Sequence, residues 1–125
     1  MLSSACRRRA GPRPADDAPA VPFSSATEAW YWYISCHQAR LDGARVIAGL
    51  ASVARPCEPG DIYRAVLRLY RDGRLQAHHV TVLVRYGRGR LAPDPDRPAG
   101  HRDWESWQEA IMRLEAELRA RGIVA

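Results

Sequence analysis

The chain has 125 residues and a formal net charge of +5 at pH 7. This length allows one domain with one modest hydrophobic core. No apolar run approaches the roughly 18 residues that a membrane-spanning helix needs. We therefore expect a single soluble domain without a membrane anchor.

The positive charge is concentrated in the middle of the chain. All 19 cationic side chains are arginines; residues 40–102 carry a surplus of +6, whereas residues 103–125 carry −2. The planar guanidinium suits phosphate, so such a basic patch could face nucleic acid or an acidic partner. A solvated surface encoded by a G+C-rich gene would give the same composition.

Cysteine and histidine usage indicates no catalytic or metal chemistry. Cys6, Cys36 and Cys57 are an odd number without a framework spacing, which favours free thiols and a cytoplasmic location. Cys57 precedes a predicted helix start, where a thiol pKa can fall, but no histidine is near it in sequence. The cysteines and histidines form no zinc-ligand spacing. We expect no catalytic residue, metal or cofactor.

The first 22 residues read as a disordered tail. They are rich in alanine, proline and arginine and contain hardly any large apolar side chain. We therefore expect that they bury too little apolar surface to offset the conformational entropy lost on folding. Ser25 and Glu28 then stand in the Ser-x-x-Glu relation of a capping box. This pattern predicts a first helix from Ser25 to Leu41.

The first predicted helix carries four consecutive aromatic residues, 30–33. We predict that Trp30, Ile34, His37 and Leu41 form its buried row. The remaining rings, including Tyr31 and Trp32, either pack on another element or form an exposed patch. Such a patch would bind an acidic or apolar protein partner, which is the alternative function.

A second helix is predicted from Pro59 to Arg71. Pro59 suits the first helical position and Glu58 can serve as N-cap. An apolar stripe then recurs at helical spacing: Ile62, Ala65, Val66 and Leu69. Gly73 provides the stop, because glycine adopts the left-handed conformation without a Cβ penalty.

Residues 75–87 fit either a helix or a strand. As a helix, Val80, Leu83, Val84 and Gly87 share one face and Gly87 ends it. As a strand, residues 80–84 are a β-branched run whose only candidate partner is residues 45–50. We favour a helix from Gln76 to Tyr86, followed by a flexible basic hook, residues 88–90, and a proline-rich solvated linker, residues 92–100.

The last predicted helix runs from Asp103, as its cap, to Arg121. Its apolar positions repeat in steps of three and four: Trp104, Trp107, Ile111, Leu114 and Leu118. Three i,i+4 pairs of glutamate and arginine predict a solvated outer face: 109/113, 115/119 and 117/121. The apolar seam is too short for a sustained coiled coil, so we expect a monomer or a weak dimer.

Several segments resemble a family of small uncharacterised bacterial proteins with an RPCEPxDI-like segment. The residues that carry the resemblance are Phe23, 28–30, 55–63, 85–87 and 121–124. The resemblance covers residues 23–125 and implies a cytoplasmic bacterial protein with a helix at residues 75–87. The central helices also weakly resemble helix-turn-helix units in the pattern Leu75, His79, Leu83 and Tyr86-Gly87.

Together these patterns predict a small all-α domain of three or four helices over residues 23–125. The leading functional hypothesis is a regulatory or architectural protein that binds duplex DNA. The expected phosphate contacts are Arg64, Arg68, Arg71, Arg74, Arg85, Arg88 and Arg90. If the second central helix enters the major groove, the side chains placed to reach base edges are Gln76, Ala77, His78 and Thr81.

Overall fold

The computed structural model describes residues 19–43, 53–98 and 100–125. In these residues the chain is all-α, with four helices: α1 (Ala26–Leu41), α2 (Pro59–Arg71), α3 (Ala77–Gly89) and α4 (His101–Ala120). The predicted disordered tail lies mostly outside the described residues. So does the possible strand at residues 45–50.

Residues 77–89 form a helix, as favoured from the sequence, although they include a β-branched run. The helix is favoured over a strand because it buries Val82 and Leu83 in the common core, whereas the described part of the chain offers no neighbouring strand. Tertiary packing here overrides the weak β-preference of valine and threonine. The fold class predicted from the sequence is therefore confirmed.

The four helices enclose one hydrophobic core. Each of α1 and α4 packs against the three other helices, and α3 lies alongside α4 with opposite chain direction. The stripe predicted on α2 is buried, as are Trp107, Leu114 and Leu118 of α4. Ile111 and Trp104 are only partly buried.

A short backbone clasp joins the start and end of the helical domain. Phe23 forms an isolated parallel bridge with Val124. The Phe23 amide donates to the Ile123 carbonyl at 2.9 Å, and the Ala125 amide donates to the Phe23 carbonyl at 2.9 Å. A further backbone hydrogen bond lies beside this clasp, since the Val21 amide donates to the Ala54 carbonyl at 2.8 Å.

Two predicted helix starts differ from the structure in detail. Ser25 caps α1 by accepting from the Glu28 amide, but the Glu28 carboxylate reaches back to Ser24 rather than to Ser25. Asp103 does not cap α4, since that helix begins two residues earlier at His101 after Gly100. The Asp103 carboxylate instead accepts hydrogen bonds from α3, a long-range partnership that local spacing does not reveal.

The predicted end of α3 is also wrong. Gly87 does not end the helix, which continues to Gly89 and is capped by Arg90 in the left-handed conformation at φ 53°. Residues 88–90 therefore form a helix terminus rather than a flexible hook. Gly73 and Gly122 do stand at φ 76° and 77° just after α2 and α4, so those two stops are confirmed.

Only two of the four residues predicted to form the buried row of α1 are buried. Trp30 and Ile34 are buried, whereas His37 is exposed and Leu41 is 65% exposed. Ala26 and Ala29 complete the buried face instead. The face is displaced because small alanines allow close contact near the N-terminus of α1, while its last turn extends beyond the core.

Candidate nucleic-acid interface

The seven arginines predicted to contact DNA fall into two groups. Three of them are ion-paired: Arg64 with Asp61 at 2.5 Å, Arg68 with Asp72 at 3.4 Å and Arg85 with Asp103 at 3.3 Å. The other four are exposed, and no acidic side chain of the described residues lies within ion-pair distance of them. These four, which we call the unpaired arginines, are Arg71, Arg74, Arg88 and Arg90.

The unpaired arginines stand at the two ends of α3. Arg71 ends α2 and Arg74 lies in the turn before α3, whereas Arg88 and Arg90 lie at the far terminus of α3. A helix of 13 residues is roughly 20 Å long. Their charge is not offset by neighbouring carboxylates, so it is available to an external anion.

The outer row of α3 is exposed and forms hydrogen bonds both with α4 and within α3. His78 Nδ1 lies 3.1 Å from Ser106 Oγ, and the Thr81 hydroxyl donates to the Ala77 carbonyl at 3.0 Å. Together with Arg85 and Asp103, these side chains border a groove of 460 Å³ between the two helices. All four residues predicted to reach base edges are exposed: Gln76, Ala77, His78 and Thr81.

Asp103 organises the C-terminal half of the α3–α4 contact. Its carboxylate accepts from the Tyr86 hydroxyl at 2.6 Å and from Arg85 Nη1 at 3.3 Å. The hydrogen bond to Asp103 raises the pKa of the Tyr86 hydroxyl. Arg85 is thus tied to an intramolecular partner and is less available to phosphate than the unpaired arginines.

A buried histidine organises the N-terminal half of the same contact. His79 is only 2% exposed, and its Nδ1 accepts from the Gln76 amide at 3.0 Å. Its Nε2 lies 2.8 Å from Glu109 Oε1, which assigns the ring proton to Nε2. The hydrogen bond from His79 holds the pKa of Glu109 below its usual value. The neighbouring His78 ring is exposed.

Tyr31 and Trp32, the predicted partner-binding residues, are partly buried rather than prominent on the surface. The Tyr31 ring stacks on Trp107 with centroids 6.1 Å apart, and the Trp32 ring lies against Phe23 at 5.2 Å. Both rings pack against the core. The aromatic run therefore serves mainly intrachain packing.

Sequence reasoning missed the most exposed aromatic residues. Tyr63 and Tyr70 on α2 are 51% and 50% exposed. Their seven-residue spacing places them on one side of the helix, beside its arginine row, a signal that was present in the sequence. Tyr63 also stacks on Tyr33 of α1, with centroids 6.4 Å apart and planes 24° apart.

The described residues contain two cysteines, at positions 36 and 57. Cys57 is buried, and burial raises the pKa of the partly buried Cys36 thiol. Among the described residues, no group of three or more histidine, cysteine or acidic side chains is placed to hold a metal ion. No helix in the described part is long and apolar enough to cross a membrane.

Comparisons with known proteins identify no relative: no family model, curated protein or solved structure matches the chain. The resemblance to a bacterial family and to helix-turn-helix units therefore stays a prediction.

Proposed function

We propose that the chain binds duplex DNA mainly through its phosphate backbone, with little direct readout of base sequence. The observation that carries the proposal is the set of unpaired arginines at both ends of α3. Arginine forms bidentate hydrogen bonds with phosphate oxygens. An arginine that has no ion pair within the protein breaks no existing pair when it binds a phosphate. The length of α3, roughly 20 Å, separates the two groups of unpaired arginines and exceeds the width of the major groove, about 12 Å. The two groups can therefore reach phosphates on both sides of the groove.

Limited base readout follows from the contacts of α3. His78, Thr81 and Gln76 already have hydrogen-bond partners within the protein, since the Gln76 side chain accepts from the His79 backbone amide in a capping box at the start of α3. Phosphate contacts fix position but carry no sequence information. The proposed protein is therefore architectural rather than a sequence-specific regulator.

A titration with mixed-sequence duplex DNA at two salt concentrations tests the proposal. Each phosphate contact should contribute a slope of about −0.9 in log affinity against log salt. We expect the variant R71A/R74A/R88A to bind more weakly than wild type. The loss of two or three phosphate contacts should reduce the magnitude of its salt slope by about 2 to 3.

The matched control removes three arginines that are ion-paired elsewhere: R97A/R119A/R121A. Both variants lose the same net charge. Equal weakening by the two sets would indicate only a general charge effect, and an absence of wild-type binding at low salt would reject the proposal.

A further inference from the structure

The cleft between α1 and α2 is lined by flat rings and by arginine. Tyr33, His37 and Arg40 of α1 face Pro59, Gly60 and Tyr63 at the start of α2. The cleft has a volume of 310 Å³, at the lower end of the range for small-ligand sites. His37 and Arg40 are exposed and Tyr63 is half-exposed, so the cleft opens to solvent.

The rings of this cleft already lie in stacking orientations. The Tyr33 ring is within 5.2 Å of Trp30, 5.9 Å of His37 and 6.4 Å of Tyr63, measured between centroids, and all three interplanar angles are below 30°. Burial raises the pKa of the Tyr33 hydroxyl, so this ring stays neutral at physiological pH. The arrangement offers aromatic faces held in position by α1 rather than by a loop.

Arginine charge adjoins the rings on α1. Arg40 lines the cleft itself, whereas Arg64, which follows Tyr63 on α2, is ion-paired with Asp61. Stacking rings beside positive charge are the features with which proteins hold single-stranded nucleic acid.

We propose that this cleft holds an unpaired nucleobase, so that the chain binds single-stranded DNA more tightly than duplex DNA of equal length. This inference rests on the proposed function for its phosphate contacts but adds a separate site. In a duplex the faces of the bases are stacked on one another and are not available to Tyr33 and Tyr63. An unpaired base stacks on the Tyr63 ring while Arg40 contacts its phosphate.

The test measures binding of a thymine 20-mer and of a mixed 20-base-pair duplex by wild type, Tyr63→Ala, Tyr63→Phe and Tyr70→Ala. Alanine at position 63 should weaken single-strand binding by about 5- to 100-fold, the usual effect of losing one stacking ring, and leave duplex binding within about twofold. Phenylalanine retains the stacking face and should bind the single strand within about twofold of wild type. Tyr70→Ala is the matched control, because Tyr70 is equally exposed on the same helix but lies outside the cleft.

The two proposals fail in different ways. Single-strand binding that is unaffected by Tyr63→Ala, or weakened equally by Tyr70→Ala, overturns the cleft while duplex binding through the unpaired arginines stands. Loss of both ligands on Tyr63→Ala also overturns it, because the substitution would then act on the fold. Single-strand binding that needs Tyr63, with no duplex binding at all, supports the cleft and overturns the proposed duplex function.

Discussion

Gly87 marks a close approach between α1 and α3. A Cβ atom at this position would lie 2.7 Å from Trp30 Nε1 and 3.1 Å from Ile34 Cγ1. The same Trp30 Nε1 donates to the Leu83 carbonyl at 2.7 Å. The absence of a side chain at Gly87 thus allows the indole of one helix to reach the backbone of the other.

Replacing Gly87 by alanine should destabilise the protein. Overpacking against Trp30 and loss of its hydrogen bond outweigh the better helix propensity of alanine, and we expect a net cost of about 1–3 kcal/mol. Urea denaturation of the two proteins measures the difference. Gly89→Ala is the control: nothing lies within 4 Å of its Cβ position, so its stability should change by no more than about 0.5–1 kcal/mol, towards greater stability. An equal loss in both variants would contradict the close-approach explanation.

At the scale of single elements, the start of α1 depends on a charged carboxylate. Glu28 accepts from the Ser24 amide at 2.8 Å and from the Ser24 hydroxyl at 2.9 Å, and Arg55 lies 3.4 Å away. The Ser24 backbone hydrogen bond is the largest cause that holds the pKa of Glu28 below its usual value. The ionised form is therefore more stable in the folded protein than in the unfolded chain.

This difference predicts a pH dependence of folding. Because the folded pKa of Glu28 is lowered, its stabilisation is complete above the usual pKa of glutamate and is lost as the pH falls through the lowered value. Thermal unfolding from neutral to about pH 3 should show a shallower acid decline for Glu28→Gln than for wild type. Ser24→Ala removes one of the two Ser24 donors and should give an intermediate slope. A Glu28→Gln decline as steep as that of wild type would contradict this assignment.

The helices themselves could be predicted from sequence to within a few residues because their signals are local. Pro59 and Gly73 bracket α2, and the stripe from Ile62 to Leu69 needs only 3.6-residue spacing. The contacts of Gly87, His79 and Asp103 could not be predicted, since each depends on a residue 17 to 57 positions away in the chain. The candidate site was predicted only in part for the same reason. The arginines could be identified from the sequence, but the acidic partner of Arg85 and the contact between Tyr33 and Tyr63 depend on residues that are distant in the chain.

At the scale of the whole molecule, Phe23 joins the two ends of the domain to the core. Its ring is fully buried, lies 5.2 Å from Trp32 and carries the Arg55 guanidinium 4.1 Å above its centroid. We expect Phe23→Ala to cost about 3–5 kcal/mol, because it leaves a cavity under the backbone clasp. Leu91→Ala, at a side chain that is 74% exposed, should change stability by less than about 0.5 kcal/mol. Chemical denaturation compares the two, and a similar small change in both would refute the role assigned to Phe23.

The clasp between Phe23 and Val124 also determines how the domain would respond to stretching. A force applied at residues 23 and 125 acts directly on two backbone hydrogen bonds and the side chains beneath them, before any helix is extended. The helices, whose hydrogen bonds are internal, carry no load until these bonds part. Mechanical rupture would therefore begin at this point and expose the ends of α1 and α4 together.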